Sequence, residues 1–316
     1  MDIRLSARSL ARPGRTRTIK DAITFLTFVG PLIIGLLVFV YAPIVWGFAL
    51  SFYNARYSVT PTNFVGFGNY IELLRDQSFV SSLVTFTVFA AFIVPVTVII
   101  SLTLALLVNT IKVGRAFFRS VFFIPSACSV VVASMIWRDS IFLGTAQGFM
   151  NALLDIFHQS PVVWIGGQGF PWYWLVLVTC RLWLGLGFNM ILFLAGLQQI
   201  SPTLYEAAYV DGARSGWNTF RYITFPLLRN TTAIVISLNL ISAFQAFDEF
   251  YNILGGTYGG ANLNLAKTPL IYLFQVAFND QNYGKGSAGA FILAILIIAV
   301  TLIQTRFYGF GEAANK

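Results

Sequence analysis

Long apolar runs separated by short polar stretches set the rhythm of the chain. Six of them lie at about 23–45, 82–108, 121–138, 173–197, 231–254 and 288–307. A helix rises about 1.5 Å per residue, so about 20 apolar residues cross a hydrocarbon core of about 30 Å. Helices satisfy their own backbone groups, which an apolar solvent demands. The pattern therefore predicts an all-α polytopic membrane protein with six transmembrane helices. The run at 121–138 is short, and the run at 231–254 carries polar residues. The first run extends past Pro43 toward Phe52, which predicts an outer or interfacial continuation.

Composition agrees with that reading. The chain of 316 residues is 57% hydrophobic and 10% charged, whereas soluble domains are about a quarter charged. The net charge of +8 follows topology. With the N-terminus inside, the inner segments hold 14 of the 20 basic residues: the tail (Arg4, Arg8, Arg12, Arg15, Arg17, Lys20), Lys112, Arg115, Arg119, Arg214, Arg221, Arg229, Arg306 and Lys316. The outer segments hold Arg56, Arg75, Arg138, Lys267 and Lys285, and Arg181 falls inside a span. This bias predicts cytoplasmic N- and C-termini. No arginine-rich face stands apart from the membrane flanks, so nucleic acid is not an expected partner. Residues 1–20 read as a basic cytoplasmic tail and 21–316 as a single transmembrane domain. The apolar run after the tail is too long for a signal peptide and reads as an uncleaved first span. Cys128 and Cys180 both lie in apolar runs and read as packing residues rather than a disulfide. The lone His158 makes no metal site.

One polar segment interrupts the pattern, the connection 198–230 containing "YEAAYVDGARSGW". Ser201 can cap a helix whose first residue is Pro202; alternatively Thr203 and Glu206 form a capping box. Leu204, Ala207, Ala208 and Asp211 share a helical face. The two alanines keep that face flat enough for another backbone to approach. Gly212 ends the helix and permits a reversal. Trp217, Phe220 and Ile223 then recur at helical spacing, and Pro226 suits the first turn of the next span. The segment predicts helix, glycine turn, helix on the cytoplasmic side. An ordinary connecting loop is the plain alternative, but long ordered loops are mostly functional.

Ionisable residues at membrane depth are costly and point to function. Arg181 is the clearest, followed by Asp248 and Glu249, with Asn189, Asn239, Ser242 and Gln245 on the same two runs. Arg181 is expected either to meet an anionic or strongly hydroxylated cargo or to pair with Asp248 or Glu249. Asn239 and Ser242 share a helical face extended by Ala243 and Ala246, while Gln245, Asp248 and Glu249 fall on another. Trp164, Trp172, Tyr173 and Trp174 are expected to form an aromatic belt at the outer interface. No catalytic set is visible: there is no phosphate-binding Gly-x-x-x-x-Gly-Lys-Ser/Thr, no His-Glu-x-x-His and no Gly-x-Ser-x-Gly.

The stretch "EAAYVDGARSGWNTFRYITFPLL" resembles the signature loop of binding-protein-dependent ABC importer permeases, with Glu206, Ala207, Ala208, Gly212, Ile223 and Pro226 in its positions. Ten residues separate Gly212 from Ile223 where the family has nine, and Phe225 stands where it has leucine. "FVGFGNY" at 64–70, "RSVFFIPSACSVVVASMIWR" at 119–138, "GFMNALL" at 148–154, "FNMILFLAGLQQI" at 188–200 and "FQAFDEFYNILGG" at 244–256 are similar to the carbohydrate branch, while "GGTYGG" replaces its Gly-Gly-Pro turn. The resemblance implies a type I importer: this chain, a second homologous permease, an ABC ATPase dimer and an extracytoplasmic substrate-binding (lipo)protein, in a bacterial cytoplasmic membrane. It implies a sugar or sugar derivative as cargo. It also implies that no cofactor is bound by this chain, ATP and Mg being held by the ATPase. Glu206, Ala207, Ala208, Asp211 and Gly212 would then dock in the ATPase. Aligned outward from the loop, Arg181, Leu184, Gly185, Phe188, Asn239, Ser242 and Ala243 fall near the family's cargo contacts. An ion-coupled carrier could use Arg181, Asp248 and Glu249 as a relay but leaves the loop without a role. An intramembrane enzyme finds no catalytic residues.

Overall fold

A computed structural model of the chain describes residues 15–213, 216–256 and 262–308. The first fourteen residues of the basic tail, Arg214 and most of "GGTYGG" lie outside the described residues. Among the described residues four helices are long and apolar enough to cross a membrane, and two bent pairs raise the number to six if each pair is one span.

The first long element spans Asp21–Leu50. It joins α1 (Arg15–Leu36) to α2 (Ala42–Leu50) through a π turn at Leu37–Tyr41. The expected interfacial continuation is thus the same helix carried on to Leu50. The π turn sits where the ring of Pro43 would meet the carbonyl of Phe39 in a regular α-helix. A short hairpin of β1 (Tyr53–Asn54) and β2 (Asn63–Phe64) follows, then α3 (Gly68–Arg75).

The second element, α4 (Gln77–Thr110), has 34 residues. Asp76 caps it by accepting from the backbone N–H groups of Ser78 and Phe79 at 2.9 and 3.4 Å. Burial pushes this carboxyl up. The Tyr272 hydroxyl, the two capping N–H groups and Lys285 outweigh burial and hold its pKa below the usual carboxylate range. Lys285 contacts Glu72 at 3.0 Å and Asp76 at 3.5 Å, and an isolated bridge links Arg56 to Asn282. These contacts fasten α3 and the start of α4 to the start of α15 (Tyr283–Tyr308) at one end of the bundle.

The third expected span is not straight. Its two parts, Arg115–Ala127 and Val130–Ile141, meet at 93°. α5 (Arg115–Phe123) runs into a 3₁₀ turn opened by Pro125, Cys128 and Ser129 are extended, and α6 (Val130–Ile136) restarts the helix. Apolar composition marked the segment as membrane-embedded but carried no direction; Pro125 was the only local sign of the break. α7 (Phe149–Ile156) belongs to the following connection.

α8 (Tyr173–Gln198) matches its expected span to within one residue. The fifth expected span, 231–254, is overturned as a single helix. α12 (Arg229–Phe244) stops at Phe244, the chain turns through Gln245–Phe247, and α13 (Asp248–Ile253) is a separate short helix. A further bend of 68° separates α12 from the helical segment Trp217–Leu227. α14 (Pro269–Phe274), capped by Thr268, precedes α15.

Two apolar cores hold the bundle. One packs Phe86, Phe89, Phe244, Phe250 and Ile271 around α4, α8, α13 and α14, and the other packs Leu102, Met190, Phe193, Leu197 and Leu228 where α4, α8 and α12 meet. The expected aromatic belt is corrected in part. Trp164 is buried and donates to Asn151 Oδ1 at 3.0 Å, and Trp174 stacks on Phe89. Their rings fill the first core rather than ringing the outside.

Candidate functional site

The boundary between the two cores is occupied by a cavity of about 320 Å³. Its walls come from one face of α8, from the middle of α4, and from both chain breaks. Helix-breaking backbone is tolerated at membrane depth where it lines a cavity, because the freed polar groups keep partners there. Arg181, Leu184 and Gly185 recur at i, i+3 and i+4 on α8 and all face it. Asn239 and Ser242 reach it from α12, and Gln245, Ala246, Asp248 and Glu249 from the turn and α13. The sequence placed Gln245, Asp248 and Glu249 on a different face from Asn239 and Ser242. That separation assumed a continuous helix; the stop at Phe244 folds both groups onto one cavity.

Of the two acids weighed for Arg181, Glu249 is the one it contacts. Its Nη1 donates to Glu249 Oε1. Nη2 donates to Ser242 Oγ at 3.0 Å, and the guanidinium lies 5.9 Å from the centroid of the Phe89 ring. Glu249 is buried and Arg181 half-buried, with side chains 7% and 16% exposed. Asp248 is exposed into the cavity. Asn189 does not line it. It exchanges amide hydrogen bonds with Asn239 at 2.7 and 3.3 Å, tying α8 to α12 beside the cavity. Phe188, one turn beyond Leu184 on the same face, is outside the lining and 46% exposed.

Three lining residues, Thr97, Ser126 and Val130, were absent from the sequence reading, and a fourth, Cys128, was read there as packing. Thr97 follows Pro95 in α4. The other three straddle the break near Pro125, so a proline followed by small residues inside an apolar run was the available signal. Cys128 is exposed in the cavity rather than packed, whereas Cys180 is buried. Gly187 shows how tightly the broken element is seated. A Cβ there would lie 1.8 Å from the carbonyl oxygen of Phe122.

At the opposite end from the Lys285 cluster, the 198–230 segment forms the expected helix, glycine turn and helix. α9 (Pro202–Val210) starts after Ser201, the first of the two alternatives for its cap. The Ser201 hydroxyl bonds Thr203 Oγ1 at 2.8 Å rather than a backbone N–H. Gly212 has φ +83°, and the Ala213 N–H bonds the Ala208 carbonyl at 2.9 Å, a left-handed helix end that favours glycine. α9 buries no residue. Glu206, Ala207, Asp211 and Gly212 are exposed, and Val210 is 88% exposed. α10 (Trp217–Thr219), a π turn at Phe220–Thr224 and α11 (Phe225–Leu227) follow. Gly216 lies at φ +123°, and the turn at Phe220–Thr224 is a π turn, which holds one residue more than an α turn. Trp217 and Phe220 remain neighbours, with centroids 5.5 Å apart, and Tyr205 reaches Thr224 Oγ1 at 3.1 Å.

Among the described residues no cluster of metal-ligating side chains occurs. No protein-family model matches the chain. Individual proteins do. The trehalose/maltose transport system permease protein of Thermococcus litoralis is 31% identical over 276 residues, covering 87% of this chain and 90% of its own. The arabinooligosaccharides transport system permease protein of Bacillus subtilis is 32% identical over 291 residues, covering 92% and 90%. Among solved structures, a bacterial ABC transporter involved in import of the acidic polysaccharide alginate superposes with a TM-score of 0.81 at 20% identity, covering 94% of this chain and 99% of that one. That likeness speaks for the fold, and the two sequence relatives speak for the family. The chain belongs to the permease subunits of carbohydrate ABC importers.

Proposed function

We propose that this chain is one half of the membrane passage of an ATP-driven, binding-protein-dependent carbohydrate importer. As a permease subunit it is the membrane component, and a partner ATPase supplies hydrolysis of ATP with Mg. A second homologous permease completes the passage, an ATPase dimer docks from the cytoplasm, and an extracytoplasmic binding protein delivers the sugar. Each bent pair counts as one crossing, giving six, with both termini cytoplasmic in the cytoplasmic membrane of a bacterium. Residues 21–316 act as one permease domain behind the tail 1–20.

The observation that carries this reading is the cavity at the two helix breaks. It gathers Arg181, Gly185, Asn239, Ser242, Gln245, Asp248 and Glu249. Hydroxyl, amide and charged groups at membrane depth are costly unless a pathway uses them. In this reading Phe188 and Asn189 border the pathway, Asn189 by fixing Asn239. Glu206, Ala207, Ala208, Asp211 and Gly212 dock in the ATPase, and the exposure of Glu206, Ala207, Asp211 and Gly212 on α9 and its C-terminal turn supports that role. Alternating access moves the α8–α12 pair as the ATPase closes. The test is uptake by proteoliposomes containing both permeases and the ATPase, with the binding protein supplied. ATP-dependent uptake of a carbohydrate is expected. Uptake that persists without the ATPase and follows an ion gradient overturns the proposal.

A further inference from the structure

We propose that the passage lined by this chain carries one uncompensated negative charge and admits neutral or amino-bearing carbohydrates in preference to uronates and sugar phosphates. The inference rests on the cavity being the cargo passage. Three charged side chains line it: Arg181, Asp248 and Glu249. Among the described residues Arg181 is the only cation in the lining, and its charge is already answered. One guanidinium nitrogen is given to Glu249, a second to Ser242, and the ring of Phe89 lies against the group. A cargo carboxylate or phosphate would have to displace Glu249, an intramolecular partner that is itself buried.

Asp248 is different. It follows the turn at Gln245–Phe247, is exposed into the cavity, and its carboxylate has no hydrogen bond or ion pair among the described residues. The rest of the polar lining is neutral, with hydroxyls of Thr97, Ser126 and Ser242 and amides of Asn239 and Gln245. Such groups suit sugar hydroxyls. An ammonium on the cargo meets a free carboxylate, whereas an anionic cargo meets a like charge and no free cation. Away from bulk water this difference is amplified.

Cys128 makes the charge measurable without knowing the cargo. It lines the same cavity and is exposed, while Cys180 is buried. In the assembled complex, Cys128 is modified with a cationic and an anionic methanethiosulfonate. Each rate is divided by that of a simple thiol in solution, and label taken up by Cys128→Ser is subtracted. The cationic reagent is expected to be favoured by a factor on the order of ten, falling toward one in Asp248→Asn. A factor of one or less in the unmodified protein overturns the proposal. Glu249→Gln also leaves the lining with balanced charge and is expected to bring the factor toward one; Asp248→Asn alone decides if that variant does not assemble. Uptake after complete modification by a neutral methanethiosulfonate separates the two readings. Unchanged uptake overturns the cargo passage itself, whereas blocked uptake without charge preference overturns only this inference. Transport of a glucuronate-terminated disaccharide as fast as its glucose-terminated counterpart would also overturn it.

Discussion

Glu249 and Glu206 carry the same side chain in opposite surroundings. Glu249 sits inside the helical bundle, its side chain 7% exposed, held by Arg181 from a helix 68 residues away in sequence. Glu206 stands exposed on α9, and among the described residues neither it nor Asp211 has an ion-pair partner. Burial explains the difference. A charge taken out of water must be answered within the molecule, because an unpaired one costs several kcal/mol. A charge left in water needs nothing and stays available. The comparison separates a charge the chain answers for itself from one it leaves to solvent.

The sharpest way to break it is Glu249→Ala. This leaves Arg181 half-buried and unpaired, and a loss of about 3–5 kcal/mol is expected. Thermal unfolding of the purified complex in detergent measures it. The double variant Arg181→Met with Glu249→Leu removes both charges and is expected to recover most of that loss. If the single and double variants are equally unstable, the pair does not hold α8 to α13.

Gly187→Ala comes next and tests the seat of the cavity rather than its charge. The new methyl has no room against the Phe122 carbonyl, and overpacking costs about 1–3 kcal/mol. Reduced thermal stability is expected together with altered access to Cys128, because α5 leads directly into the break. An unshifted unfolding temperature would mean that α5 is not clamped there.

Those two variants also mark where the sequence was legible. Composition and length located α4, α8 and α15, because a straight span is little more than a count of apolar residues. The same count could not locate the bends at Pro125 and Leu228 or the stop at Phe244. A bend depends on which neighbour receives the freed backbone groups, and that neighbour is remote in the chain. Arg181, Asp248 and Glu249 were recognisable because charge at depth is conspicuous. The choice of Glu249 over Asp248 as partner was not, since adjacent residues differ only in where a short helix points them. Ser126 and Cys128 were hidden because small residues in an apolar run look like packing. The 198–230 segment was the most legible, since its helix start at Pro202 and its glycine turn are local.

Gly212→Ala bears on that local segment. The residue has φ +83° with open space around it, so the cost is conformational and close to about 1 kcal/mol. The helix end is expected to loosen while the membrane bundle is unaffected. ATPase stimulation by the binding protein is expected to fall several-fold with little change in unfolding temperature. A variant that retained full stimulation would show that the turn after α9 does not set its docking angle.

The smallest stability effect belongs to Glu206, and there the contrast is most informative. An exposed side chain without partners changes stability by no more than about 0.5 kcal/mol when removed, so Glu206→Ala is expected to fold and assemble as before. If its charge is reserved for the ATPase, transport nonetheless falls about tenfold, the equivalent of about 1.4 kcal/mol of lost docking. Glu206→Lys should fall further, because it places a cation against a surface selected to meet an anion. Uptake per assembled complex, with ATPase content quantified in the same vesicles, is the deciding measurement. Normal uptake in both variants would reduce Glu206 to a solvated surface residue. A drop in both uptake and assembly would assign it to complex formation. A drop in uptake with the ATPase still bound would mean that an exposed charge, structurally idle in this chain, carries the signal between the two subunits.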